Sequence, residues 1–155
     1  MDKFLDYMKS YLKTELMSDG IISSTYDLKV YDAYTAGHTP EKTELQIQIM
    51  DNSEVEAYST LEGENISSIP LQIVIYAFQM KLNGVMTSSR EVSIKLGTKV
   101  REILNRLREN LVNPNINRVR IMTMSPAMPM QDGSKAYTTA IRCEFWVANP
   151  YREQE

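Results

Sequence analysis

The strongest periodic pattern in the chain is helical and lies between residues 88 and 111. Six apolar residues recur there at steps of three or four positions, on one side of a helix: Leu96, Val100, Ile103, Leu104, Leu107 and Leu111. Ser88 precedes Glu91 by three positions, the spacing of a capping box at a helix start. Asn113 before Pro114 favours a helix end, because the residue before proline is disfavoured in the helical region. The pattern predicts a long amphipathic helix over 88–111 that packs across a sheet.

Weaker patterns occupy the first 50 residues of the chain. Residues 3–17 have a helical stripe made of Phe4, Leu5, Met8, Leu12 and Leu16, and Asp19-Gly20 favours its end. Residues 43–50 alternate between apolar and polar, which is typical of a half-buried strand near a sheet edge. Between them, a further strand is compatible with the spacing of Tyr26, Leu28, Val30 and Tyr34. Residues 36–40 are predicted to form a loop.

Two neighbouring stretches in the middle of the chain differ sharply in polarity. Residues 51–68 are polar and include Glu62-Gly63-Glu64-Asn65, which favours a loop or an irregular excursion. Residues 70–80 read PLQIVIYAFQM, with apolar side chains on both faces of a strand. Such a strand is central in its sheet, or one of its faces is covered by another subunit. Asn83-Gly84 then marks a turn before the long helix.

Two more strands are predicted after the long helix, at 118–124 and 137–147. They should pair as a hairpin, and the connection from 70–80 through the helix to 118–124 fits a parallel, right-handed crossover. The pattern predicts a single α+β domain over residues 1–155, with a mixed or antiparallel sheet of four to five strands. The long helix packs on one face of the sheet, an amphipathic helix forms the amino terminus, and residues 148–155 form a loose tail.

Composition disfavours several classes of protein. The 155 residues contain no run of about 18 apolar positions, so no membrane span is predicted. The amino terminus is amphipathic and carries acids, unlike the apolar core of a signal peptide. Cys143 is the only cysteine and His38 the only histidine, so neither an intramolecular disulfide nor a zinc cluster is expected. We expect folding in a reducing, cytoplasmic compartment, with no metal and no cofactor.

The net charge of −3 is unevenly distributed along the chain. Residues 1–66 contain 13 acidic and 5 basic residues, whereas residues 67–155 contain 7 acidic and 12 basic ones. One interpretation is that two sets of solvated surfaces happen to differ. The other is that an acidic face of one copy meets a basic face of the next, and such head-to-tail contacts close into rings.

No residue stands in a catalytic pattern. His38 lies in a Gly/Pro loop without a nearby serine or cysteine to activate, and is interpreted as a surface residue. Cys143 is predicted on the apolar side of a strand, where free cysteine packs as a small hydrophobe. The acids between residues 54 and 64 lack calcium-loop spacing, and the six glycines form no phosphate-binding motif. These observations disfavour a hydrolase.

Specific nucleic-acid binding is also disfavoured. Basic residues of the long helix are balanced by acids four positions away, as in Glu91 and Lys95. This leaves no purely basic stripe with interleaved aromatic residues, and the sequence pI is about 5.3. We expect at most weak contacts with DNA that passes the protein.

The segment that joins the last two predicted strands is the candidate functional site, and we call residues 124–134 the methionine loop. Four of the ten methionines surround it: Met122, Met124, Met128 and Met130. Its prolines and glycine indicate a projecting loop, where flexible thioethers suit a surface that adapts to a partner, although core packing is the alternative. The residues predicted to contact a partner are Met124, Pro126, Met128, Pro129, Met130, Gln131 and Asp132.

The order of these elements resembles that of tail terminator and related neck proteins of long-tailed bacteriophages. The resemblance covers about residues 40–147 and rests on ELQIQIM, EGEN, PLQIVIYAFQM, a long helix beginning with Arg90 and Glu91, and the strand pair RVRIMTM and AYTTAIRCEFWV. It implies a small, non-enzymatic protein without a cofactor that forms a hexameric ring on the tail tube. Such a ring stops tube polymerisation and presents a surface to the head-side connector or stopper. It is assembled in the host cytoplasm and becomes part of the virion, with DNA at most passing through its lumen.

Other functions fit the same sequence. One is another head-completion, connector or minor capsid protein of a phage. Another is a small cytoplasmic binding domain of a toxin–immunity or regulatory system. Stoichiometry separates these alternatives: a hexameric ring favours the terminator, a dodecamer favours a connector, and a monomer favours the binding domain.

Overall fold

A computed structural model describes residues 2–32, 37–49, 55–59, 65–109, 116–131 and 135–148. This part of the chain contains two helices, α1 (Asp2–Ser18) and α2 (Ser89–Glu109). Its strands are β1 (Lys29–Asp32), β2 (Glu44–Ile49), β3 (Val55–Ser59), β4 (Asn65–Ala77), β5 (Met80–Leu82), β6 (Val85–Thr87), β7 (Ile116–Met124), β8 (Met128–Pro129) and β9 (Tyr137–Ala148). Several predicted features lie outside the described residues: Tyr34, Leu111, the helix stop at Asn113-Pro114 and the tail beyond residue 148.

The main sheet is mixed. Its central path runs β1-β2-β4-β9-β7, in which β1 lies parallel to β2 and every other pair is antiparallel. Two short strands extend it beside this path, β3 against β4 and β8 against β9. β5 and β6 form a separate hairpin. The predicted α+β class is confirmed, with five strands on the central path.

Both helices cover the same face of the sheet. Phe4 of α1 contacts Phe145 of β9 edge to face, with ring centroids 5.2 Å apart, and α2 packs against β4, β7 and β9. The predicted apolar stripes are buried, from Phe4 to Leu16 in α1 and from Leu96 to Leu107 in α2. Together with the inward side chains of the strands they form one apolar cluster. The burial of this cluster is the main stabilising contribution to the fold.

The start of α2 agrees with the capping signal in the sequence. The backbone N–H of Glu91 donates to the Ser88 hydroxyl at 3.4 Å, so the predicted capping serine is in place. On the outer side of the helix, the Lys99 ammonium lies 3.4 Å from the carboxylates of both Asp19 and Glu102. The first of these contacts ties α2 to the segment that follows α1.

The two strands that α2 connects, β4 and β7, are separated in the sheet by β9. β4 and β7 both run antiparallel to β9, so they are parallel to each other, as the predicted crossover requires. β9 lies between them and also forms the predicted hairpin with β7. The strand predicted to be central, β4, lies between β2 and β9, and its inward residues Leu71, Ile73 and Ile75 are fully buried.

The prediction of a loop over 51–68 is wrong where the chain is described. Residues 55–59 form β3, and β4 begins at Asn65, well before the apolar run that starts at Pro70. β3 and the last residues of β9 supply backbone partners to this part of β4. Backbone pairing therefore keeps the chain extended here despite its polar sequence.

The prediction of one continuous strand over 70–80 is wrong at its carboxyl end. β4 ends at Ala77, and the Phe78 N–H donates to the Thr43 hydroxyl at 2.9 Å. Met80 belongs to the hairpin β5–β6 instead. The predicted turn Asn83-Gly84 closes this hairpin with φ angles of 52° and 77°, the left-handed conformation that two-residue hairpin loops favour.

Candidate interaction surface

The methionine loop is anchored to β9 at several points. Within it, Met128 and Pro129 form β8 and pair with Thr138 and Tyr137. The Met130 N–H donates to the carbonyl oxygen of Ala136 at 3.0 Å. The segment between β7 and β9 is thus longer than a two-residue hairpin turn, and residues 128–130 run along β9.

The predicted contact residues of the loop differ in exposure. Met128 is 54% exposed, and Pro126, Pro129 and Gln131 are exposed as well. Met130 is half-buried, whereas Met124 packs against the core. Asp132 lies outside the described residues. The structure therefore brings Met128 and its neighbours to the surface, while Met124 has the core-packing role that was the alternative for this loop.

A second exposed apolar site was missed by the sequence reasoning. Val85 is 66% and Met86 56% exposed, both in the hairpin β5–β6. The only signal for it was the Asn83-Gly84 turn, which gives no information about the exposure of the residues beside it. This hairpin is held by the N–H of Asn83, which donates to the carbonyl oxygen of Ile21 at 2.9 Å.

A cleft of about 550 Å³ lies at the end of the sheet where β1 and β2 begin. Its lining comes from β1, from the start of β2 and from the connection between them: Asp27, Lys29, Tyr31, His38, Thr39, Glu41, Lys42, Thr43 and Glu44. His38 Nε2 lies 2.8 Å from Glu44 Oε1, and the rings of Tyr31 and His38 meet edge to face at 4.9 Å. We call this feature the edge cleft.

The His38–Glu44 pair anchors one wall of the edge cleft. The Glu44 side chain is only 6% exposed, and its second carboxylate oxygen accepts a hydrogen bond from Gln46 Nε2 at 3.2 Å. Both oxygens are therefore engaged, as a buried carboxylate requires. His38 itself is 38% exposed, in agreement with its predicted position on a surface loop. The pair holds that loop against β2.

The groups around the edge cleft do not form a nucleophile–base pair. The hydroxyl of Thr43 accepts from the Phe78 N–H, and His38 is directed at a carboxylate rather than at a hydroxyl or thiol. Among the described residues, no group of three metal-ligating side chains is assembled. Cys143 is buried below the helices, and burial raises the pKa of its thiol to about 12.

The face of the sheet opposite the helices carries a cluster of charge near β7. Arg118 and Arg120 are exposed in β7, and Arg142 is exposed in the adjacent β9. The Arg118 guanidinium lies 5.2 Å from the Trp146 ring centroid, and Trp146 Nε1 donates to Glu144 Oε1 at 2.6 Å. The β7 edge of the sheet is thus basic.

A single row of registered residues crosses the sheet from the edge cleft to the methionine loop. Lys29 of β1 pairs with Glu44, which pairs with Tyr76 of β4. Tyr76 pairs with Thr138 of β9, and Thr138 pairs with Met128. In the described part of the chain, β1 pairs only with β2 and β8 only with β9. The edge cleft and Met128 therefore mark opposite edges of the sheet at the same height along its strands.

No family model matches this chain, and no curated protein sequence is significantly similar to it. Within the described residues, neither helix is long and apolar enough to cross a membrane.

Proposed function

We propose that this protein is a structural, non-enzymatic subunit of the neck of a tailed bacteriophage. It assembles head-to-tail into a ring, with six copies as in the tail terminators that its element order resembles, caps the tail tube and joins it to the head-side connector or stopper. The observation that carries this proposal is that the two edges of the sheet differ: among the described residues, β1 pairs only with β2 at one edge and β8 only with β9 at the other. Two different edges on one subunit permit heterologous contacts, which generate rings when the rotation closes.

The charges of the two edges support a head-to-tail arrangement. The segment around the edge cleft contains Asp27, Asp32, Glu41 and Glu44 against Lys29 and Lys42. The opposite edge presents Arg118 and Arg120. Two copies in head-to-head contact would bring like charges together, which is unfavourable. The same difference appears along the whole sequence, acidic before residue 67 and basic after it.

The exposed thioether of Met128 supports a role in assembly. An isolated domain gains nothing by exposing a large apolar side chain at a sheet edge, whereas a partner that covers it removes apolar surface from water. The partners in this proposal are further copies of the chain, the tail tube protein and the head-side connector. DNA passes at most through the lumen, and the protein acts in the virion after assembly in the host cytoplasm.

The proposal is tested by the stoichiometry of the purified protein and by its binding to tail tubes. We expect native mass spectrometry and negative-stain microscopy to show closed rings of six copies, and the rings to bind one end of purified tail tubes. A dodecamer would favour a connector. A monomer at every concentration would favour a small binding domain and would contradict the proposal.

A further inference from the structure

We propose that the ring contact is made by two specific edges: β8 of one copy docks against β1 of the next, with Met128 seated in the edge cleft. This inference rests on the ring proposed above and deepens it by naming the residues that meet. The occupant of the edge cleft is thus a second copy of this chain, which completes a site that one copy leaves open.

The register of the sheet places the two edges in position for this contact. The row from Lys29 to Met128 sets β1 and β8 at one height. Copies related by rotation about an axis parallel to the strands would therefore bring these two edges together without a shift along the strands. β1 runs in the direction of β2 and β9, whereas β8 runs against β9. The two edges meet antiparallel. Because the Met130 N–H is bonded to Ala136, the backbone of Pro129 faces away from β9, and proline has no N–H. The contact is therefore made mainly by the Met128 side chain.

Charge complementarity selects a second copy in head-to-tail orientation. Lys135 is the exposed basic residue at the β8 end of this edge, whereas Arg118 and Arg120 pair with Trp146 and Glu144, six to eight residues along β9 from Thr138. In the proposed contact Lys135 lies near a segment of the next copy in which four acids outnumber two lysines. Contacts between two β1 edges or two β8 edges would lose this complementarity.

The chemistry of the cleft suits a thioether. Tyr31 and His38 present two rings in edge-to-face contact at 4.9 Å, and methionine sulfur makes favourable contacts with aromatic rings. The 54% exposed Met128 side chain would lose most of its contact with water in this cleft. Met86 is equally exposed, at 56%, but belongs to the hairpin β5–β6, which does not terminate the main sheet. It is therefore a matched control.

Disulfide trapping tests the contact on the full chain. Thr39 is exposed and lines the edge cleft, so the double variant Thr39→Cys, Met128→Cys places one thiol on each edge. Native Cys143 is buried and stays silent. After mild oxidation we expect loss of the monomer band on non-reducing gels and a ladder of linked species that ends at the closed ring. The control variant Thr39→Cys, Met86→Cys should remain monomeric on the same gels, because a disulfide needs Cα atoms about 4.4–6.8 Å apart.

The outcomes separate this inference from the function it rests on. Rings without a ladder, or an equal ladder in the Met86 control, would overturn the β1–β8 contact and leave the ring proposal standing. A ladder from rings that do not bind tail tubes would support the contact and contradict the neck function. A protein that is monomeric at all concentrations, without a ladder, would overturn both.

Discussion

Leu104 lies at the centre of the contact between α2 and the sheet and has no exposed surface. We expect Leu104→Ala to lower the free energy of unfolding by about 2–5 kcal/mol, because it removes buried methyl groups and leaves a cavity. Urea titration followed by circular dichroism measures the change. The exposed Arg108 on the same helix supplies the control, since Arg108→Ala should have little effect. A loss near zero for Leu104→Ala would mean that the helix does not pack as described.

Gly97 marks the closest approach of α2 to the sheet. A Cβ at this position would lie 2.9 Å from Met124 Cε and 3.1 Å from Thr139 Cγ2. The flexible Met124 side chain can move aside, but Thr139 is buried and its hydroxyl lies 2.5 Å from that of Ser93. We expect Gly97→Val to destabilise the protein by about 1–3 kcal/mol through overpacking. Thr98→Val, on the exposed side of the same turn, should be nearly neutral in the same urea titration.

The Cys143 thiol should be unreactive in the native protein. It is 1% exposed and its pKa is raised to about 12 by burial, whereas the reactive species is the thiolate. We expect a chromogenic thiol reagent at roughly neutral pH to label the protein only as fast as it unfolds. Immediate labelling without denaturant would show that β9 opens readily. Labelling in urea provides the full-reaction reference.

The same pKa shift has a consequence for alkaline stability. Between pH 9.0, the ordinary pKa of a cysteine thiol, and about pH 12, the unfolded thiol releases a proton that the native thiol retains. The stabilisation is complete below this range and is lost as the pH rises through it, at about 1.4 kcal/mol per pH unit. Urea titrations at successive pH values should show a smaller alkaline loss for Cys143→Ala than for the parent. Equal losses would contradict the assignment to Cys143.

The contacts of individual residues in the edge cleft could not be predicted from the sequence, because they depend on segments that fold back onto the strands. His38 was correctly expected on a surface loop, but its contact with Glu44 depends on how residues 37–43 return to β2. The alternation over residues 43–50 places Glu44 on the polar side of a half-buried strand, yet its side chain is only 6% exposed. Alternation within a strand predicts on which face of the sheet a residue lies. It does not predict which other segment of the chain covers that face.

At the scale of elements, the methionine loop separates into a core part and a surface part. We expect the double variant Met128→Ser, Met130→Ser to retain nearly the parent stability, because Met128 is exposed and Met130 only half-buried. Joining of tails to heads in an assembly assay should fall strongly. Met124→Ser is the control for core packing and should destabilise the subunit, since Met124 packs against the buried cluster.

Two results would contradict this assignment. Normal joining by the double variant would show that the loop does not contact a partner. Marked unfolding of the double variant in urea would place both side chains in the core.

Elements with strong internal periodicity were predicted well. α1, α2 and β2 each bury a stripe or a face that the sequence displays within one element. β3 and the start of β4 were not predicted, because backbone partners distant in sequence, rather than apolar alternation, keep them extended. The edge cleft was missed for a similar reason: it requires the parallel pairing of β1 and β2, which no local pattern specifies. The exposure of Met128, in contrast, agrees with the projecting loop that the prolines and glycine of this segment indicate.

For the whole molecule, the opposite charges of the two sheet edges predict salt-sensitive assembly. Raising the salt concentration from low values to about 0.5 M should shift rings towards monomers, because exposed charges are screened over a few ångström at that ionic strength. Light scattering across the series measures the shift, and Lys135→Gln should flatten the salt dependence. Unchanged rings across the range would identify burial of apolar surface, including that of Met128, as the main source of association.

The position of β9 between β4 and β7 also governs the order of events during synthesis. β4 and β7 leave the ribosome before β9. Until β9 is made, both strands lack the neighbour that lies between them in the finished sheet. At roughly 5–20 residues per second, the nascent chain spends a time on the order of seconds with a gap in its sheet. The cluster below the helices cannot close in that time, because Phe145 and Val147 complete it. Folding of the sheet therefore waits for β9, and a polypeptide interrupted before residue 137 would present two unfilled strand edges to chaperones and proteases.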